Sequence, residues 1–139
     1  MEVLIDSDVL LDYILVRDEF YADAVKIMDL LLAGRFNGFV SVLALTNMFY
    51  TLRKDFDTNE RKNLLIGLNK TLTFCSVTAE MVINALKNTK FTDFEDCVQT
   101  ECAKSINADI IITRNLKHYK HSPIRIYSPD EFIKLFSVT

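Results

Sequence analysis

The sequence predicts an α/β fold, a three-layer α/β/α sandwich around a central parallel sheet. Three observations predict it. Short uninterrupted apolar runs recur, with Val3-Leu4-Ile5 at the start of the chain and Ile110-Ile111-Ile112 late in it. A run without polar alternation marks a strand buried on both faces. Between such runs the apolar residues return every three or four positions, the period of a helix with one buried side. Strand and helix then alternate from end to end, and parallel strands need such crossovers, which lay helices over both faces of the sheet.

The totals narrow the class further. The chain has 139 residues, 50% of them hydrophobic, enough core for one domain over 1–139. With 3 glycines and 2 prolines, low-complexity and disordered classes are excluded. The apolar runs are too short to cross a bilayer, and the first residues lead directly into a strand rather than a signal core. The expectation is therefore a cytoplasmic protein with no membrane partner. Cys75, Cys97 and Cys102 are odd in number and lack C-x-x-C spacing, so they read as reduced core thiols, not a disulfide framework or zinc cluster. A net charge of −3 argues against a broad basic surface for duplex DNA. It leaves room for a local site where metal ions, not lysines, offset phosphate charge.

The first strand runs into Asp6-Ser7-Asp8, and Val9-Leu10-Leu11 opens a helical pattern. A strand that stops at a carboxylate and turns into a helix sets that carboxylate at the sheet's carboxyl edge, where open α/β folds keep their ligand crevices. Asp6 is thus the first candidate for chemistry, and capping of the next helix by Asp6 or Ser7 is the plainer alternative. Helical spacing covers Asp8 to about Val16 and Phe20 to about Ala33. In the second of these Ala24, Ile27, Met28, Leu31 and Leu32 form the stripe, and Gly34 supplies a stop. Gly38-Phe39-Val40-Ser41 reads as the second strand. From Val42 the helical period puts Val42, Ala44, Leu45, Met48, Phe49 and Leu52 on one face. Thr46, Asn47, Tyr50, Thr51 and Lys54 make a polar row on the other.

Asp57 with Glu60 is a capping-box start for a helix to about Leu68. Leu72-Thr73-Phe74-Cys75 is the third strand. Thr78 caps a helix to about Asn88, and Thr92, with Glu95 at the third helical position, starts another. Ile110-Ile111-Ile112 delivers Thr113-Arg114-Asn115 at its carboxyl end. Ile124 to Tyr127 reads as the last strand, and Ser128-Pro129-Asp130-Glu131 opens the terminal helix with proline at its favoured first position.

A cap at Thr92 puts Asp93 and Asp96 three residues apart on one side of a helix start, a side that Thr100 continues. Phe94, Val98 and Cys102 take the opposite side, so the acids are expected to look outward from the core, with Glu95 consumed by the cap. The helix dipole alone favours acids there by roughly 0.3–1 kcal/mol each, which is the electrostatic alternative.

Asp6 after the first strand, the polar row with Asn47, the Asp93/Asp96 pair and Thr113-Arg114-Asn115 after a late strand together resemble the PIN-domain family of metal-dependent nucleases. The resemblance covers essentially the whole chain. In that family an aspartate of the first strand, an acid on the helix after the second strand, an aspartate starting a later helix and an acid after the fourth strand gather around divalent metal. Asp6 and Asp96 match the first and third. Asn47, in Leu45-Thr46-Asn47-Met48-Phe49-Tyr50, and Asn115 stand at the second and fourth positions as amides. An amide oxygen can coordinate Mg²⁺ or Mn²⁺ but brings no charge, and hard cations depend heavily on carboxylate charge. The resemblance therefore implies a charged core of Asp6, Asp96 and Asp93, with Asp8, Asn47 and Asn115 as outer or neutral ligands.

The implied chemistry is hydrolysis of an RNA phosphodiester by metal-activated water, a route that needs no histidine. His118 and His121, in basic loop-like surroundings, are expected to be exposed and unrecruited. Arg53, Lys54, Arg114 and Lys117 flank the acids and are candidate RNA phosphate contacts. Tyr50 and Phe91 could stack bases if exposed. The likeness to VapC-type toxins implies an antitoxin protein as partner and a homodimer. Two other readings compete. One is a PIN-like module that binds nucleic acid or protein without cutting, because two acids have become amides. The other is a haloacid-dehalogenase-like phosphatase, whose nucleophile strand Leu4-Ile5-Asp6-Ser7-Asp8 also resembles. That family expects paired acids after a late strand, where this chain has Thr-Arg-Asn.

Overall fold

Five parallel strands, β1 (Glu2–Ile5), β2 (Asn37–Ser41), β3 (Thr73–Cys75), β4 (Ile110–Ile112) and β5 (Arg125–Tyr127), lie in the order β3-β2-β1-β4-β5. The computed structural model describes residues 1–137. Between the strands run α1 (Ser7–Ile14), α2 (Tyr21–Leu32), α3 (Val42–Thr51), α4 (Thr58–Leu68), α5 (Ala79–Lys87), α6 (Phe94–Ser105) and α7 (Pro129–Lys134), with short 3-10 turns at Leu52–Lys54 and Leu116–Tyr119. This is the three-layer α/β/α arrangement expected from the sequence.

The unbroken apolar runs have their reason in the layers. Successive side chains of a strand point to opposite faces. Val3, Ile5, Val40, Ile110 and Ile112 face one layer, where they meet α1, α2, α3 and α7 through residues such as Leu10, Ile27, Met48 and Phe132. Leu4, Cys75 and Ile111 face the other, against Cys102 and Ala103 of α6 and Tyr119. Val3, Leu4 and Ile5 are all 0% exposed, so none of these three positions of β1 tolerates a polar side chain. Close sheet packing also fixes Gly38, where a Cβ would stand 2.7 Å from Leu72 and 2.8 Å from Leu31.

The chain places β2 and β3 on one side of β1, then crosses back through α5 and α6 to put β4 on the other. Parallel crossovers are right-handed, so reversing direction moves the connecting helices to the opposite face. The reversal falls between β1 and β4, whose register pairs Ile5 with Ile112. The connections after these two strands leave in different directions, and a crevice opens there.

Element boundaries follow local chemistry. A capping box forms at Asp57/Glu60 as the sequence indicates, and a second one at Ser128/Glu131 opens the terminal helix that Pro129 marked. The first helix stops at Ile14, short of Val16, which takes a left-handed φ of 51° and turns the chain. The last strand starts at Arg125, one residue after the expected Ile124. Val42 departs from the expected apolar face and is exposed, because it opens α3 before the helix turns its stripe inward.

Candidate metal centre

Asp6 ends β1 in an extended conformation and caps α1, its Oδ1 accepting from the Ser7 N–H at 2.7 Å. The capping alternative and the sheet-edge reading thus hold together. Its Oδ2 accepts from Thr113 Oγ1 at 2.8 Å and lies 3.2 Å from the Tyr119 hydroxyl. Thr113 is the first residue beyond β4, so the two strands at the topological reversal meet through this contact.

Asp96 reaches the same place from α6. The Tyr119 hydroxyl is 3.2 Å from Asp96 Oδ1 as well as from Asp6 Oδ2. One phenol with a single proton therefore bridges two carboxylates. Burial and the two carboxylate charges push the Tyr119 hydroxyl well above its ordinary pKa, so it stays a donor. Asp96 is buried rather than turned outward. The reason is that α6 lies against the sheet and its amino end points across the crevice.

Asp93 is the cap of α6, and Thr92 is not. The Asp96 N–H donates to Asp93 Oδ1 at 3.0 Å, and the helix begins at Phe94, which is itself exposed. Glu95 is correspondingly free of the cap, and its Oε2 accepts from Asn47 Nδ2 at 3.1 Å. Asp8 Oδ2 accepts from the Arg114 N–H at 3.0 Å. Asn115 is exposed at the rim, and its side chain makes no cap bond to the following turn.

His118 was expected to stand apart, and it does not. Its Nδ1 lies 2.7 Å from Asp96 Oδ2 and 4.0 Å from Asp93 Oδ2. The 3-10 turn after Asn115 folds its ring back over the acids, a local turn that composition does not reveal. His121 is exposed and outside the crevice.

The proposed basic contacts sit differently. Arg114 Nε and an Nη hydrogen-bond the two oxygens of Asp12 at 2.7 and 3.1 Å, and its guanidinium stacks 3.8 Å over Phe20. Its side chain is thereby occupied at α1 and does not line the crevice. Buried Asp12 also receives Arg17 at 3.2 Å. The Arg53 guanidinium stacks 3.7 Å over exposed Tyr50, while Lys54 and Lys117 are exposed. Phe91 is half-buried and packs against the cluster of Ala85, Cys97 and Val98, which removes it as a stacking surface. All three cysteines are free and buried, as expected of core thiols.

A crevice of about 160 Å³ collects these groups: Asp6, Ser7, Asp8, Leu43, Ala44, Asn47, Asp93, Glu95, Asp96, Gln99, Asn115 and His118. Five of the twelve are acids, and none is lysine or arginine. The charges strain one another. Burial, then the charge of Asp6, pushes the Asp8 carboxyl up from 3.8 to about 7. Burial, then Asp6 and Asp93, raises Asp96 to about 6, against the opposing pull of its hydrogen bonds to His118 and Tyr119.

Among the described residues, two buried side-chain atoms lack a hydrogen-bond partner, Asp8 Oδ1 and Gln99 Oε1. Both are oxygens of crevice residues. Asp93, Asp96 and His118 each offer a ligand atom within 4.8 Å of the others. Carboxylate and carbonyl oxygens suit hard divalent cations such as Mg²⁺ and Mn²⁺, so the donor set fits such an ion. Gln99, Glu95, Thr113 and Tyr119 escaped the sequence reading of the site. Only Gln99 carried a signal, as a polar residue three positions after Asp96 on the same side of the helix.

Comparison with known proteins gives concordant results. A family model described as PIN domain matches residues 2–117. Among solved structures, VapBC2 from Rickettsia felis, bound to a DNA fragment from its promoter, superposes with a TM-score of 0.68 at 15% identity, covering 92% of this chain and 98% of that one. VapBC-1 from nontypeable Haemophilus influenzae gives 0.67 at 12% identity, covering 94% and 99%. Mycobacterium tuberculosis VapC20, a toxin that cleaves the sarcin-ricin loop, gives 0.62 at 13% identity, covering 78% and 86%. Comparison with curated protein sequences gives no match.

Proposed function

The chain belongs to the PIN-domain family, and on that premise we propose that it is a Mg²⁺- or Mn²⁺-dependent ribonuclease, the toxin of a toxin–antitoxin pair. The observation that carries this reading is that Asp6 and Asp96, 90 positions apart in the sequence, share one phenolic proton beside a crevice lined by five acids and by no lysine or arginine. Mutual repulsion of that kind is offset when a divalent cation binds.

Asp6, Asp96, Asp93 and Asp8 hold the cation in this proposal. A divalent cation held by these residues would supply activation of water and neutralisation of charge on the leaving oxygen of the RNA strand. The chain's own residues set the geometry. Thr113 and Tyr119 fix Asp6, the Asp93 cap fixes the first turn of α6, and the Arg114 N–H fixes Asp8. Asn47 and Asn115 flank the site as neutral groups. Each has an acid at hand: Glu95 is bonded to Asn47, and Asp8 is bonded to the backbone next to Asn115. Those two acids replace the charge that the amides lack.

RNA contacts are assigned to the stacked Tyr50/Arg53 pair, one turn along α3 from Asn47, with Lys54 and Lys117 in support. An aromatic face with a guanidinium against it suits an unpaired base and its phosphate. A small antitoxin protein is the proposed partner. A homodimer is proposed on exposed Ile83 and Leu86 of α5. Among the described residues no helix is long and apolar enough to cross a membrane, which accords with action in the cytoplasm.

The test is incubation of the purified protein with structured and unstructured RNAs plus Mn²⁺, alongside Asp96→Asn. Cleavage by wild type alone supports the reading. Cleavage that persists in Asp96→Asn identifies a contaminant. RNA that is retained but never cut favours the second reading, a PIN-like binding module, for which the two amides are the specific argument.

A further inference from the structure

Gln99 lies one turn after Asp96 on α6, lines the same crevice and is 4% exposed. Chemistry fixes the orientation of its amide. The end facing Asp6 Oδ1, at 3.4 Å, is the donating Nε2, because that oxygen is already an acceptor, taking the Ser7 N–H. That orientation leaves Oε1 buried with no donor, and the other such atom, Asp8 Oδ1, belongs to the same crevice. Buried polar groups are almost always satisfied. Two unmet acceptors in one acid-lined crevice fit a species that takes oxygen lone pairs and offsets negative charge, as a hard cation does.

We propose that Gln99 is itself a ligand of the divalent cation, giving Oε1 as a neutral oxygen while Nε2 steadies Asp6. The inference rests on the metal-site reading above and extends it to a residue outside the Asp6, Asp8, Asp93 and Asp96 set. Glutamine suits the place because a sixth carboxylate in the crevice, beside Asp6, would add to the repulsion already borne by the metal-free fold.

The test uses the full chain stripped with EDTA and titrated with Mn²⁺, free ion being read by electron paramagnetic resonance. Gln99→Met keeps the size and removes both polar ends, and it is expected to weaken Mn²⁺ binding about tenfold. Gln99→Glu keeps an oxygen at the Oε1 position, adds charge and loses the donor to Asp6, and it is expected to bind at least as tightly as wild type at pH 7.5. Wild-type affinity in Gln99→Met overturns the proposal. Loss of affinity in both variants also overturns it, because Gln99 then acts only through Nε2 on Asp6. Circular dichroism in EDTA checks the fold; should Gln99→Met fail to fold, Gln99→Glu alone decides by retaining or losing the ion. Asp96→Asn separates the two levels of inference. If it too binds like wild type, the metal site itself is wrong, whereas its loss beside an unaffected Gln99→Met removes only the role of Gln99.

Discussion

Asp8→Asn should stabilise the metal-free protein at neutral pH. The carboxyl is raised from 3.8 to about 7 by burial and by Asp6, so the folded state binds its proton more tightly than the unfolded chain does. Between those two values the native state carries the extra proton, and stability is lost as pH rises through the window. Going from pH 5 to pH 7.5, the Asp8 contribution falls by about 2.5 kcal/mol, with a total cost near pH 7.5 on the order of 4 kcal/mol. The amide has the same shape and still accepts from the Arg114 N–H, so the variant escapes the cost. Thermal unfolding in EDTA at both pH values gives the comparison. The melting temperature of wild type should fall relative to Asp8→Asn by roughly 8 °C over that interval. Mn²⁺ at a hundred times its dissociation constant should narrow the gap at pH 7.5 without reversing it, because it adds about 2.7 kcal/mol to the protein that binds it, less than the cost carried by ionised Asp8. A wild-type minus variant difference that stays flat between pH 5 and 7.5 would refute the argument that ionised Asp8 is held against its preference.

Three further outcomes follow from the same contacts. Arg114→Met should destabilise the fold by about 2–3 kcal/mol in urea unfolding, because buried Asp12 keeps only Arg17; Arg114→Lys should rescue little of it, lacking the two-pronged fork. Tyr119→Phe should lower stability in EDTA by about 1 kcal/mol through loss of the proton shared by Asp6 and Asp96. With Mn²⁺ present, calorimetry should show that deficit shrinking. Mn²⁺ affinity itself should rise from pH 5 to 7.5, since Asp96 at about 6 and Asp8 at about 7 must lose protons to act as ligands; a flat titration series would exclude both.

The fold was legible because its signals are local and redundant. Val3-Leu4-Ile5 and Ile110-Ile111-Ile112 are buried on both faces and say so in every residue, and the capping box at Asp57 and the proline at Pro129 mark their helices within four residues. Asp6 and Asp96 were legible for a related reason, since each sits where a strand or helix terminus meets the sheet edge. What the sequence hid depends on turns and long contacts. Thr92 and Asp93 are both competent caps, and only the path of the preceding loop selects Asp93, which then frees Glu95 to reach Asn47 across 48 positions. The 3-10 turn at Leu116–Tyr119 has no strong periodic signal, yet it sends Tyr119 inward and His118 onto Asp96. Arg114 looked like a phosphate contact because it stands beside the acids in sequence, while its partner Asp12 lies on a different element.

The two amides then carry a physical argument about how charge is distributed in such a site. Five acids already share about 160 Å³, and two of them are held far above their ordinary pKa. Carboxylates at Asn47 and Asn115 would deepen that repulsion in the metal-free protein. With Glu95 at hydrogen-bond distance from Asn47 and Asp8 tied to the loop before Asn115, the negative charge stays in the crevice while the Asn47 amide serves as a donor to Glu95. On this account Asn47→Asp should cost metal-free stability, since it sets two carboxylates about 3 Å apart. It should also gain little Mn²⁺ affinity, because Glu95 already supplies the charge. A large gain would show instead that the position wants an acid and that Glu95 is a bystander.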